Sequence, residues 1–300
     1  MNTLDPRQTE CFLAAVQTGT IRSAAEQLGL EPSTVSRNIS ALETATATTL
    51  IERGRNGVRL TEAGTLLLGY IHKQAAALEV LQSEFDALAH MKRGNILIAV
   101  GEGFVSDLID HAMSAFNKRY SDITFSLSVG STEYVSHLVA TEEAHLGLAY
   151  NVPSDPRLRV EMSARQPLVA LVRKEGAFDT GAAFDLKRLA SLPCAVPPKS
   201  FGVGTMIAAS EARHGVRMQA LVETGSIAAL TTFVRNDMGY TILPRFVVEA
   251  ELASGLFSAY PIIADTFQGG VAALVRKEGR RLPQAAQLFI KQLAGMAAFR

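Results

Sequence analysis

The stretch SAAEQLGLEPSTVSRNISALE, residues 23–43, limits what the amino-terminal part of this chain can fold into more than any other feature. Side chains advance about 100° per residue along an α-helix, so Val35, Ile39 and Leu42 share one apolar stripe. Upstream, Ala24, Ala25 and Leu28 form a small-residue face that admits a second helix at close range, and Gly29 supplies the break between the two. The spacing predicts a packed helix pair over about 21–42. Ser33, Ser36, Arg37 and Ser40 fall together on the side away from the stripe. An ordinary αα-hairpin usually carries Glu and Lys there. Short hydroxyls and one arginine suit a surface that approaches phosphates and base edges. The pattern reads as a helix-turn-helix whose second helix reads DNA.

The flanks extend this reading. Asp5-Pro6-Arg7-Gln8 combines an N-cap, a proline at the first helical position and a capping-box Gln, followed by Phe12, Leu13 and Val16 at helical spacing. A first helix precedes the pair. After Glu43, in TATATTLIERGRNGVRLTEAG, Gly54 and Gly57 bracket a turn between two β-prone runs, Thr48 to Ile51 and Val58 to Leu60. That is a wing with Arg53, Arg55 and Arg59 around its tip.

On these residues the chain resembles the LysR-type transcriptional regulators. The match runs through FLAAVQTGTIRSAAEQLGLEPSTVSRNISALE and LIERGRNGVRLTEAG. It departs at Glu31-Pro32, where the family usually has Ser-Gln, and at Thr46-Ala47, where it usually has Leu-Gly. The resemblance implies an α/β protein with an all-α-type winged helix-turn-helix amino-terminal domain. A long linker helix and a two-lobed effector domain similar to type 2 periplasmic binding proteins would follow. The expected DNA-contacting residues are Ser23, Ser33, Thr34, Ser36, Arg37, Ser40, Arg53 and Arg55. Double-stranded DNA and a second or further copies of the chain, as homodimer or homotetramer, are the implied macromolecular partners.

Charge does not mark residues 1–62 as a basic domain, because six cations are set against seven anions. Every cation is Arg, however, and four of the six lie on the recognition helix or wing, which predicts a local positive face. With 48% apolar and 19% charged residues the chain has ample core for two or three domains. No charged start precedes an apolar run, and no run approaches the ~18 residues a membrane span needs, so a cytoplasmic protein without membrane contact is expected. Cys11 and Cys194 are far apart and read as buried thiols; no resolving Cys lies near Cys194 for a redox role.

Beyond the wing, Ile71, Ala75, Leu78, Leu81, Phe85 and Leu88 recur at three- and four-residue spacing in a stretch free of proline, which predicts a coiled-coil seam. Strand and helix patterns then alternate: strand NILIAVGEG, helix 106–119, strand ITFSLSV, helix 132–140 and strand HLGLAY. The near-repeat VALVRKEG (169–176) and AALVRKEG (272–279) reads as two strands with basic exits, one in each lobe. Crossovers are expected at 164–167 and 265–269, and a last helix at 283–298. The expected division is a DNA-binding domain over 1–62, a linker helix over 63–92 and an effector domain over 94–300. Lobe I would comprise 94–165 and 268–300, and lobe II 166–267.

Several strands run into a helix through Gly, Ser or Thr: GEGFVSD, VGSTEY and ETGSIA, with the loop PPKSFGVG. Helix N-termini offer unpaired N–H groups and about half a positive charge, so such turns, gathered in one cleft, bind anions. Ser106, Ser131, Thr132, Ser200 and Ser226, with Lys199, suit a carboxylate; Phe104, Tyr150 and Phe201 would line its apolar part. Glu102 and Glu133 in the same loops either pair with Lys199 or receive an amine, which would make the ligand amino-acid-like.

Chemistry of other kinds lacks its residues. The Gly101–Ser106 turn fails the dinucleotide fingerprint at its third glycine and at the acidic residue expected after the second strand. The six histidines show no metal-ligand spacing, and no serine sits in a G-x-S-x-G elbow. No cofactor, metal or catalytic residue is expected. The competing reading is a cytoplasmic solute-binding protein or enzyme with an incidental helical hairpin; the wing speaks against it.

Overall fold

The computed structural model describes residues 4–54, 57–88 and 93–300, with the backbone alone at 87 and 88. The chain divides into two compact units, Met1–Leu78 and Glu79–Arg300.

In the first unit, α1 (Pro6–Thr18) starts where the sequence puts its cap, the Asp5 carboxylate accepting from the N–H groups of Arg7 and Gln8. Helix α2 (Ile21–Leu28) is capped by Thr20 and stopped by Gly29 at φ 65°. Helix α3 (Pro32–Thr46) has no side-chain cap at Glu31 and ends on Ala47, held at φ 53°. Strands β1 (Ile51–Gly54) and β2 (Gly57–Leu60) pair antiparallel as the wing. Phe12, Ala24, Ala25, Val35, Ile39, Leu42 and Leu50 bury together as the core. The Glu43 carboxylate ties α3 to the wing by accepting from the N–H of Leu50 at 2.8 Å.

Helix α4 (Glu62–Leu88) begins in this unit. Ile71, expected in the seam, instead joins Leu67 and Leu68 in packing on the helix-turn-helix core. The exposed row runs through Leu66, Tyr70, Leu78, Leu81 and Phe85. The expected linker residues 89–92 lie outside the described residues, as does the side chain of Leu88.

The second unit holds two mixed sheets. In chain order it runs β3 (Gly94–Val100), a helical segment from Glu102 to Asn117, β4 (Ile123–Val129), α7 (Thr132–Ala140), β5 (Leu146–Tyr150) and β6 (Leu158–Arg165). The helical segment comprises a 3₁₀ turn, the short α5 (Val105–Asp107), a π-helical turn and α6 (Ser114–Asn117). There follow β7 (Leu168–Arg173), β8 (Phe184–Asp185), α8 (Leu186–Ser191), β9 (Pro193–Val196) and α9 (Gly202–His214). Then come β10 (Gln219–Glu223), α10 (Ile227–Arg235), β11 (Tyr240–Pro244), α11 (Glu249–Ala253), β12 (Phe257–Ile263), α12 (Asp265–Gln268), β13 (Val271–Lys277) and α13 (Gln284–Leu293).

One sheet has the order β4-β3-β5-β13-β6 and the other β10-β9-β11-β7-β12-β8. The near-repeat forms β7 and β13, each antiparallel to both of its neighbours. The sequence pattern predicts a start at Ser106 for the first helix of this unit. The helix starts at Glu102, because Gly101 ends the strand and the 3₁₀ turn follows at once, so Ser106 lies inside the segment and caps nothing. The final helix stops at Leu293, and a separate 3₁₀ turn covers Ala297–Phe299.

A buried polar knot fastens Glu79 of α4 to the first sheet. His145 is fully buried; its Nδ1 accepts from the Leu97 N–H at 3.1 Å, so its Nε2 carries the proton donated to Glu79 at 2.9 Å. Beside it Arg280 donates to the carbonyls of Glu142 and Ala144. Burial lowers the Arg280 pKa, opposed by the nearby Glu142 and Glu79 carboxylates.

Ala47 ends its helix in a conformation that costs an L side chain roughly 1–2 kcal/mol, whereas Gly29 adopts a similar one freely. Ala47→Gly should therefore stabilise the first unit by about 0.5–1 kcal/mol after the extra chain entropy of glycine is subtracted. Chemical denaturation monitored by circular dichroism measures the change.

Candidate DNA-reading face and effector cleft

Helix α3 turns Val35, Ile39 and Leu42 into the core and leaves Ser33, Arg37 and Ser40 exposed, with Thr34 and Ser36 at the margin. Arg37 folds along its own helix, Nε donating to the Ser33 carbonyl and Nη2 to the Thr34 hydroxyl, both at 3.3 Å. Arg53, read from sequence as a wing residue, lies across the same face. Its Nη1 donates to Ser36 Oγ at 2.6 Å and its Nη2 to Ser40 Oγ at 3.4 Å. Nothing in the sequence signals these contacts, since 17 and 13 residues separate the partners. Exposed hydrogen bonds of this kind add little stability and yield readily to a phosphate or base edge. Ser23 sits apart, at the start of α2, where its hydroxyl accepts from the Thr20 hydroxyl. Arg55 lies outside the described residues.

In the second unit the turns after β3, β4 and β10 do meet the α9 loop in one cleft, lined by Glu102, Phe104, Thr132, Tyr150 and Phe201 among others. Its free space is about 50 Å³, because the two sheets' loops close on each other. Contacts among these loops close it. The Phe104 and Phe246 rings pack at 5.0 Å. Thr132 Oγ1 donates to the Tyr150 carbonyl at 3.2 Å and accepts from the Gly202 N–H at 3.0 Å. Glu102 Oε1 accepts from the Ile227 N–H at 3.0 Å and the Ser226 hydroxyl at 3.4 Å. Gly202 is required for this approach, since a Cβ there would lie 1.8 Å from the Tyr150 carbonyl oxygen.

The other expected ligand residues fall elsewhere. Ser131 caps α7, accepting from the Tyr134 N–H. Ser106 lines an adjoining cavity of about 550 Å³, with Asp107, Asp110 and Glu249. Lys199 opens onto a different cavity beside Glu211 and Arg217. Neither Ser200 nor Ser226 lines the closed cleft, and Ser226 caps α10. Glu133 is exposed, and neither it nor Glu102 forms an ion pair with Lys199. The expectation that the turns present open N–H groups thus meets a correction at α9 and α10, where Thr132 and Glu102 have each taken the first N–H of the helix. Both cysteines are free and buried, and burial pushes the Cys194 thiol up to about 11, away from a reactive thiolate.

Thr132→Val preserves side-chain volume but leaves the Gly202 N–H and Tyr150 carbonyl unpaired whenever the cleft is closed. It should cost about 1–3 kcal/mol of closure, read as faster amide exchange at Gly202.

Two family models match. Residues 6–65 match the bacterial regulatory helix-turn-helix protein, lysR family, and residues 89–298 match the LysR substrate binding domain. The HTH-type transcriptional activator CmpR of a Synechocystis strain is 26% identical over 291 residues, covering 95% of this chain and 93% of that protein. Among solved structures, a full-length OxyR variant from Pseudomonas aeruginosa shares the fold with a TM-score of 0.72 at 15% identity, covering 100% of this chain and 98% of that one. Full-length CbnR complexed with its target DNA does so with a TM-score of 0.62 at 17% identity, covering 95% and 97%. The chain belongs to the LysR family of bacterial regulatory helix-turn-helix proteins, as a DNA-binding transcriptional regulator with a small-molecule effector domain.

Proposed function

We propose that this regulator acts in the cytoplasm, binds a two-fold operator as a dimer or tetramer, and changes its hold on that operator when a small molecule enters the cleft. The observation that carries the DNA half of this reading is the outward face of α3. There Ser33, Thr34, Ser36, Arg37 and Ser40, joined by Arg53, present donors and acceptors small enough to reach base edges. CbnR, with the same fold, has been solved on its target DNA. The effector half rests on the closed cleft. A ligand that favours one arrangement of its walls shifts a population, and α4 leads from that unit toward the DNA-binding head. The proposed domain limits are those read from the sequence, and the reading assigns no chemical reaction to the chain. A mobility shift of DNA from beside its own gene, with a footprint that a metabolite alters, tests the whole.

The exposed row Leu66, Tyr70, Leu78, Leu81 and Phe85 supports α4 as the pairing surface between copies. A carboxylate buried in that seam without a partner is severely penalised, so Leu81→Asp or Phe85→Asp should yield monomers that no longer hold a two-fold site. Sedimentation of an unchanged oligomer by these variants would mean that the copies pair elsewhere.

On the operator, Arg37→Ala should cost about 1–3 kcal/mol and blunt sequence preference, and Arg53, which shares that face, should behave alike. Arg55→Ala should instead weaken all DNA and lower the salt slope by about one unit. Titrations on operator and random duplexes at several salt concentrations separate the two behaviours.

A further inference from the structure

Glu102 stands where an anionic ligand would bind. Its Oε1 accepts from the Ile227 N–H and the Ser226 hydroxyl at the start of α10, a nine-residue helix, so the leading N–H and the positive end of that helix meet a carboxylate from within the chain. The same carboxylate's Oε2 has no hydrogen-bond partner among the described residues. Glu102 is half-buried, and it lines both the closed cleft and the cavity that opens beside it. Among the described residues neither space is lined by a Lys or Arg, and His111, which lines the open cavity, is held by Asp107 at 2.9 Å. Along the open cavity stand Asp110, Glu249 and Glu251, none of them in an ion pair among the described residues. A free carboxylate entering here would meet Glu102 with no Lys or Arg to offset it, whereas an ammonium would find an acceptor with an oxygen to spare. Phe104, Phe201 and Phe246 beside it supply apolar surface for the rest of such a ligand.

We propose that Glu102 is the cleft's specificity residue and that the effector is an amine-bearing small molecule, its ammonium on Glu102 Oε2 while Oε1 keeps hold of α10. The inference rests on the reading of the cleft as the effector site. Because Glu102 follows β3 of one sheet and Ile227 follows β10 of the other, the carboxylate that would receive the amine is also the one that joins the two walls.

The test uses the full-length chain and two pairs of probes matched in size and opposite in charge: benzylamine against benzoate, and putrescine against succinate. Calorimetry should show an amine binding, benzoate and succinate failing to bind, and amine affinity falling about tenfold or more in Glu102→Gln. Carboxylates that bind as tightly as the amines, amines that bind neither the wild type nor the variant, or affinity unchanged in Glu102→Gln would each overturn the proposal. A second measurement needs no effector. Glu102→Ala uncovers the Ile227 N–H, so acetate should raise the melting temperature of that variant and leave the wild type unmoved. A shift in both or in neither would show that Glu102 is not the occupant of the anion position, even if small molecules enter the cleft. An amine that slows amide exchange away from Gly101–Phe104 and Gly225–Ala228 would instead tell against the cleft as the effector site.

Discussion

The chain passes between its two large sheets twice, and Gln166 holds both passages together. Its backbone N–H donates to the Gly270 carbonyl in the second passage at 2.8 Å, and its own carbonyl accepts from the Tyr150 hydroxyl at 2.7 Å. The side-chain amide donates to the carbonyls of Ala297 and Ala298, whose N–H groups in turn go to the Asp107 carboxylate. Burial raises the Tyr150 pKa, which keeps the phenol a donor. Moving this segment would strand several buried polar groups at once, so the passage resists rearrangement and suits a pivot.

At the mouth of the cleft the balance is different. Closure there depends on Thr132, on Glu102 and on one contact between rings. Each of these is an interaction of roughly a kilocalorie that water or a ligand can replace, unlike the buried network at the pivot. A fixed pivot with a weakly held mouth is the physical requirement for a two-state sensor, since a ligand shifts such an equilibrium only by its differential affinity for the two arrangements. The knot of His145, Glu79 and Arg280 lies at the start of β5, the strand that ends on Tyr150, so one strand joins the α4 anchor to the cleft.

The DNA-binding head was largely legible in its residues. Asp5 and Gly29 mark helix ends by local chemistry, and the Val35, Ile39, Leu42 stripe marks the buried face by periodicity alone. The Arg53 contacts with Ser36 and Ser40 were not legible, because the wing's approach to α3 depends on how two elements pack and not on either one's pattern. In the seam, Ile71 fits the heptad spacing as well as its neighbours do, yet it is claimed by the head's core.

For the effector unit the sequence determined β3, β4 and β5, the turns that follow them and the near-repeat that becomes β7 and β13, since each follows from the period of apolar residues and from glycine at chain reversals. Only the tertiary structure decided which groups those turns leave free. Lys199 reads as a cleft cation by its place in a Ser- and Gly-rich loop but faces a separate cavity, and Glu102 meets Ile227 across 125 residues of chain. Backbone conformation is set by neighbours in sequence, and so it can be read there. The satisfaction of a helix N-terminus is set by whatever side chain the fold brings within 3 Å, and in this chain that side chain comes from the other sheet.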